Sequence, residues 1–305
     1  MNIQHIFENF LFECAGFLLR LFPLRTVQKV GGAMGEFVGA TLGYRRAVTL
    51  DNLRNAFPEK SEPAIQQIMR SSFQSVGTAL FELMLVPRLN AEMFKDIIHL
   101  ANPEIIQEAF AKGKGVVLLT AHFGNWEFIA QSIPVWTGIP VLVIVKSQAN
   151  RYIDQKINAS RMKFGNVAVP MESAIREVLK ALQEGKAVGL VGDQTAAKES
   201  IWVPFFGRQV PTYEGPAMFC LKTRAPLIMG FPVRESDGRY SVRFEEVEFD
   251  DLKTYAKENI LELTKRHVAV TEEIIRKCPE QWMWMHKRWK HLSSEAPSIR
   301  PSVNA

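Results

Sequence analysis

Through the first hundred residues apolar side chains recur at helical spacing, as in Ile65, Ile68, Met69 and Phe73 of a helix predicted over 62–86. Beyond that point short apolar runs, bounded by glycine and polar residues, begin to alternate with helical segments. Ile105, Ile106, Ala109 and Phe110 predict a helix ending at Lys112-Gly113, and Val116–Thr120 then reads as a buried strand. A helix from Asn125 to about Trp136, a strand at 141–145, helices at 149–163 and 171–184, and a strand at 187–191 follow. The second of those helices carries Ile175, Val178, Leu179 and Leu182 on one face. After Gly215 the pattern predicts another helix, then strands at 227–233 and 240–247 joined by Ser236-Asp237-Gly238, then a long helix over 252–277. This alternation predicts an α/β fold in which helices flank a mixed central sheet.

The segment from Phe7 to Phe22 is apolar except at Asn9, Glu13, Gly16 and Arg20, which fall at i, i+4, i+7 and i+11 and so form one narrow stripe. Two charges and the following Pro23 argue against a bilayer span, which needs about 20 apolar residues. The expectation is a helix embedded in or lying on a membrane; a pair of core helices is the alternative. Gly31, Gly32, Gly35, Gly39 and Gly43 continue with a small-residue surface suited to close helix packing, and Arg45-Arg46 fall at a plausible headgroup position. The N-terminus has neither a basic n-region nor a small-residue cleavage site, which argues against a removed signal peptide. The predicted layout is a membrane-associated helical segment over 1–45, a catalytic domain over 46–290 and a polar tail over 291–305.

At 305 residues and 47% hydrophobic, the chain can bury one large core. Its 37 basic and 32 acidic residues give a net charge of +5. That excess is scattered, which suits an anionic membrane or an acidic partner better than nucleic acid. Cys14, Cys220 and Cys278 lie far apart without CxxC spacing, so neither a disulfide framework nor a metal site is expected, and the compartment is expected to be reducing.

The candidate chemistry begins at His122-Phe123-Gly124-Asn125-Trp126-Glu127, directly after the 116–120 strand. Gly124-Asn125 can turn the chain and cap the next helix, which brings Glu127 in its first turn back toward the imidazole. The positive helix end is expected to keep that ring neutral, as a general base requires. A capped core histidine is the alternative. Two other His-x4-Glu pairs serve as controls. His267 and Glu272 lie within one helix, roughly 140° apart around its axis. Glu104 follows the helix-start signal Asn102-Pro103, whereas His99 precedes it.

Ligands of open α/β sheets collect beyond the carboxyl ends of strands, where His122, Lys146 and Asp193-Gln194 all fall. Asp193 and Gln194 can fix a substrate hydroxyl or a neighbouring loop, or simply cap a turn. Arg161 can bind a phosphate bidentately or stand solvated at a helix end. The chain has no GxSxG, P-loop, GxGxxG, HExxH or CxxC motif, and Cys220 reads as core packing. A base without a nucleophile suggests direct acyl transfer, with His122 and Glu127 activating an acceptor hydroxyl.

The apolar strand with HFGNWE, Arg161, Gly192-Asp193-Gln194, Val203-Pro204-Phe205-Phe206-Gly207 with Thr212, Gly215-Pro216-Ala217, and Pro279 to His286 together resemble the lipid A biosynthesis acyltransferase family, within the lysophospholipid acyltransferase superfamily. Asn52-Leu53 and Phe57-Pro58-Glu59 extend the resemblance across nearly the whole chain. It implies a glycerolipid acyltransferase-like fold and an enzyme on the cytoplasmic face of the bacterial inner membrane. Such an enzyme moves a fatty acyl chain from acyl carrier protein, or coenzyme A, to a hydroxyl of a lipid A precursor, with these thioesters as co-substrates and no resident cofactor. The partners implied are acyl carrier protein, the lipid A precursor and membrane lipids. His122 and Glu127 match the family's catalytic dyad, and Arg161, Asp193 and Gln194 match its functional Arg and Asp-Gln positions; with Thr212 of the shared motif and Lys146, taken from its place at a strand end, these are the expected substrate-binding residues. Thr195 to Ser200 depart from the acidic, glycine-containing continuation of several members, which bears on acceptor and chain length rather than on the reaction. Trp282, Trp284 and Trp289, with Lys287, Arg288 and Lys290, sit either at a membrane interface or over the core. Rival readings are an acyltransferase for a lysophospholipid or phosphoinositide mannoside, a thioester hydrolase, and a non-catalytic membrane scaffold.

Overall fold

A computed structural model describes residues 3–291, so the expected polar tail, apart from His291, lies outside the described residues. The first half contains α1 (Ile3–Leu19), α2 (Leu24–Glu36), α3 (Arg46–Ala56), α4 (Glu62–Leu83), α5 (Ala91–Ile97), β1 (Ile98–Leu100), α6 (Glu104–Ala111), β2 (Val116–Thr120), α7 (Trp126–Thr137) and β3 (Val141–Val145). The second half contains α8 (Arg151–Met162), β4 (Val167–Pro170), α9 (Ala174–Gln183), β5 (Ala187–Val191), β6 (Ile201–Phe205), β7 (Arg208–Thr212), α10 (Gly215–Thr223), β8 (Leu227–Gly230), β9 (Val233–Arg234), β10 (Tyr240–Val242), β11 (Phe244–Glu246) and α11 (Lys257–Lys277).

The apolar runs form the middle of a six-stranded sheet in the order β11-β8-β2-β5-β3-β4. Neighbours pair in parallel except at the β11 edge. Strand β2 lies centrally with helices over both faces, which is why all five of its residues are buried. Val117 and Leu119 enter one core with α9, α10 and α11, while Val116 and Leu118 enter a second with α5, α6 and α7. In the β2–β5 register Thr120 stands opposite Val191. Residues 122 and 193, each two positions beyond its strand, therefore emerge side by side.

The single hairpin expected over 227–247 is divided instead. Strands β8 and β11 pair antiparallel in the main sheet, whereas β9 and β10 pair across the Ser236 to Gly238 turn, and β10 joins β1. Pro232 lies at the break, where it cannot donate to a ladder. The β6–β7 hairpin, unexpected from its two interior prolines, turns at Phe206 and Gly207 with φ of 50° and 70°. Phe206 is unusual there, and its N–H is held by Glu272 Oε2 at 2.6 Å. The last long helix begins at Lys257 rather than at 252.

The glycines of α2 pack against α4. A Cβ on Gly35 would lie 2.1 Å from the Phe73 carbonyl oxygen, so the two backbones touch where only glycine fits. Helix α1 has the reverse of a soluble helix's polarity. Its polar stripe turns toward the protein: Glu13 pairs with Lys156 at 2.6 Å, Arg20 Nε donates to the Met84 carbonyl, and Gly16 is the buried residue. Phe7, Phe10, Phe17, Leu18, Leu21 and Phe22 are exposed. Among the described residues no helix is long and apolar enough to cross a membrane.

Candidate active site

The corner between β2 and α7 is built around Gly124. Its φ is +52°, and a Cβ there would come 1.8 Å from the Pro232 carbonyl oxygen. Asn125 caps α7 by accepting from the Phe128 N–H at 3.1 Å, and its amide donates to Glu82 at 2.8 Å. Glu82 is fully buried, yet it also accepts from Gln28 and from the Tyr240 hydroxyl, so its charge is well supplied with donors. From the other side the Gly124 N–H donates to the Gln281 carbonyl at 2.9 Å, and the Met283 N–H to the His122 carbonyl at 3.0 Å. The segment after α11 thus clamps the corner that presents His122.

Asp193, rather than Glu127, is the acid hydrogen-bonded to the imidazole. His122 Nδ1 lies 2.7 Å from Asp193 Oδ1, while the His122 backbone N–H and Trp282 Nε1–H donate to Oδ2 at 3.0 and 2.7 Å. An ionised carboxylate only accepts, so Nδ1 carries a proton, and in the neutral ring the lone pair is then on Nε2. Gln194 Nε2 is 3.3 Å from that free nitrogen, and the Trp126 ring lies beside the imidazole with centroids 5.2 Å apart. Burial pushes the His122 pKa down, but the charge and hydrogen bond of Asp193, with the charge of Glu127, outweigh it and leave the pKa raised. The helix end therefore does not set the ring's protonation as expected; the two acids do. Asp193 itself would be raised by burial, yet the charge of His122 and the hydrogen bonds it receives hold it below the usual carboxylate range.

Glu127 stands in the first turn of α7 as expected, but its carboxylate is gripped by Arg161 of α8, with Nη2 to Oε1 at 2.6 Å and Nε to Oε2 at 2.9 Å. That fork is consequently occupied, and Arg161 is not open to a phosphate in this arrangement. Lys146 is exposed at the carboxyl end of β3, on the same sheet edge as His122 and Asp193. Thr212 is a correction: it is fully buried in β7, where its Oγ1 accepts from Arg288 Nη2 at 2.7 Å, so it braces Arg288 instead of facing substrate. Trp282, Trp284 and Trp289 are buried against Phe57, Phe205 and Phe206 and cover the core. Cys220 is buried too, and burial pushes its thiol far up, which disfavours a thiolate nucleophile.

Both control pairs stay apart. His99 lies edge-on to Trp136 in β1, and Glu272 serves Phe206 and Arg276. Trp282 and Arg288 were not anticipated around the His122–Asp193 dyad, since their tie to it runs through a segment remote in sequence. Among the described residues no group of three or more His, Cys, Asp or Glu is disposed to hold a metal.

A sequence model described as bacterial lipid A biosynthesis acyltransferase matches residues 1–291. The chain is 25% identical to a lipid A biosynthesis lauroyltransferase of Escherichia coli K12, over 90% of this chain and 89% of that one. It is 24% identical to the palmitoleoyltransferase of the same organism, over 86% of this chain and 84% of the relative. It is also 23% identical to a phosphatidylinositol mannoside acyltransferase of Mycolicibacterium smegmatis, over 72% and 73% of the two chains.

Proposed function

The chain belongs to the bacterial lipid A biosynthesis acyltransferase family and is an O-acyltransferase, and on that premise we propose that it moves a fatty acyl chain from an acyl carrier protein thioester to a hydroxyl of a lipid A precursor, with His122 as the base. The observation that carries the mechanism is the 2.7 Å His122–Asp193 pair, which in the neutral ring directs the lone pair to Nε2, on the side of Gln194. Nε2 takes the proton of the acceptor hydroxyl as its oxygen attacks the thioester carbonyl. A C–O bond forms, the tetrahedral oxyanion collapses with loss of the C–S bond, and His122 returns the proton to the departing thiolate. Asp193 holds the tautomer and, together with Glu127, stabilises the imidazolium formed on the way. Arg161 fixes Glu127 in place. Lys146, exposed at the rim, offers a cation to a phosphate of the lipid acceptor.

The outward apolar face of α1 supports binding to the membrane interface, where a lipid acceptor resides. We place the enzyme on the cytoplasmic face of the bacterial inner membrane. The net charge of +5 suits both anionic lipid and an acidic carrier protein.

The test is mass spectrometry of products formed from acyl carrier protein or coenzyme A thioesters of several lengths and a tetra-acylated lipid A precursor, with His122→Ala in parallel. The expected outcome is a mass gain of one acyl group, slower in the variant by at least ~10²-fold. Free fatty acid alone would indicate hydrolysis, and unchanged turnover in the variant would remove His122 from the mechanism.

A further inference from the structure

A small cavity of about 10 Å³ adjoins the dyad, lined by Thr120, Asp193, Phe205, His267 and Arg288 among others. That is room for about one water molecule. Three buried polar atoms of these lining residues have no hydrogen-bond partner: Thr120 Oγ1, His267 Nε2 and Arg288 Nε. His267 is 2% exposed and Arg288 1%. The remaining nitrogens of Arg288 are satisfied, Nη1 by the Pro211 carbonyl and Nη2 by Thr212, both at 2.7 Å. Yet among the described residues no carboxylate lies within ion-pair distance of this buried guanidinium. Asp193 is the one carboxylate lining the same cavity.

We propose that one water molecule occupies this cavity, accepting from Arg288 Nε–H and bridging Thr120 Oγ1 and His267 Nε2, and that Arg288, fixed in this way, is a positioning residue that sets the basicity of His122 through the Asp193 carboxylate. Such a water has three polar partners, within the usual range of two to four. The charged and titratable groups around the dyad leave this role to Arg288. Glu127 from α7 is matched by Arg161 from α8. His267 on α11 is kept neutral, since burial and the charge of Arg288 push its pKa down to about 3. His286, whose Nε2 accepts from the Thr195 N–H, is held down first by burial. Lys146 is exposed to solvent at the rim and Arg45 lies toward His286, which leaves Arg288 as the buried cation lining the cavity with Asp193, where its field opposes the field that Asp193 exerts on the imidazole. Removing that charge should stabilise imidazolium and move the His122 titration to higher pH.

The consequence for catalysis rests on reading His122 as the base, but the test does not need turnover. The ring resonances of histidine-labelled protein, with His122 identified by its loss in His122→Gln, are titrated by NMR in the wild type, Arg288→Gln and Arg288→Lys. The midpoint should rise by about half a pH unit or more in Arg288→Gln and stay near the wild-type value in Arg288→Lys. An unmoved midpoint in Arg288→Gln would overturn the proposal. Should that variant fail to fold, a wild-type crystal structure resolving ordered water decides: a water bridging the three atoms supports the proposal, and a dry cavity overturns it. A shifted midpoint in a protein that transfers no acyl group would instead count against the acyltransferase mechanism while leaving the role of Arg288 intact.

Discussion

Asp193 does two things for His122, and replacing it with asparagine separates them. The substituted carboxamide would keep much of the shape but lose the charge, so burial, which pushes the His122 pKa down, would no longer be outweighed as strongly. A base with a raised pKa loses activity as pH falls through that value. In Asp193→Asn the acid limb of the kcat/KM profile should therefore move to lower pH, with the plateau reduced by roughly 10²–10⁴-fold. A reduced plateau with the limb unmoved would mean that Asp193 acts on folding alone. Sequence pattern reached both residues but expected Glu127 to orient the ring, whereas Nδ1 donates its hydrogen bond to Asp193 and Glu127 acts on the ring through its charge. The His-x4-Glu spacing is local and visible, whereas the meeting of His122 and Asp193 depends on β2 lying next to β5 in the register that sets Thr120 opposite Val191. Strand adjacency of that kind is decided by the whole sheet. Likewise Arg161 looked free to bind an anion because its partner Glu127 is 34 residues away.

Among the elements, the β2–α7 corner is the least tolerant of change. Gly124→Ala would combine a positive φ with a Cβ driven into the Pro232 carbonyl, costing roughly 2–6 kcal/mol between backbone strain and overpacking. The check is denaturant unfolding, where the midpoint should fall markedly; a midpoint within error of wild type would show that the corner can relax. Local pattern was enough for elements with long uninterrupted periodicity. The runs that became β2, β3 and β5, the cap at Asn125 and helix α4 were all legible. The short strands were not. Strand β4 ends in Pro170, while Pro204 and Pro211 interrupt β6 and β7, so tertiary contacts there overrule what the residues favour alone.

At the scale of the whole molecule the unusual feature is α1, attached by its charges and exposed by its phenylalanines. Phe10 and Phe17 are 60% and 63% exposed, and embedding each in lipid is worth about 1.5 kcal/mol or more. Phe10→Ser with Phe17→Ser should weaken partition onto anionic vesicles by ~10²-fold or more, measured by co-sedimentation. Unchanged partition would send the search for a membrane contact elsewhere on the surface. The stripe of Asn9, Glu13, Gly16 and Arg20 was visible in sequence, but which way it would face was not, because a helix with a narrow polar seam satisfies the same pattern in water or in lipid.

The polar attachment of α1 also links it to the site. Asn150, which caps α8, donates to the His5 carbonyl and to Glu8 of α1, and α8 carries the arginine that grips Glu127. A helix resting in one leaflet would then hold the catalytic edge at a fixed height above the lipid. The acceptor would be found by lateral diffusion within a sheet of lipid, so its abundance per unit area of membrane, more than its amount per volume of cell, would govern how often the enzyme turns over.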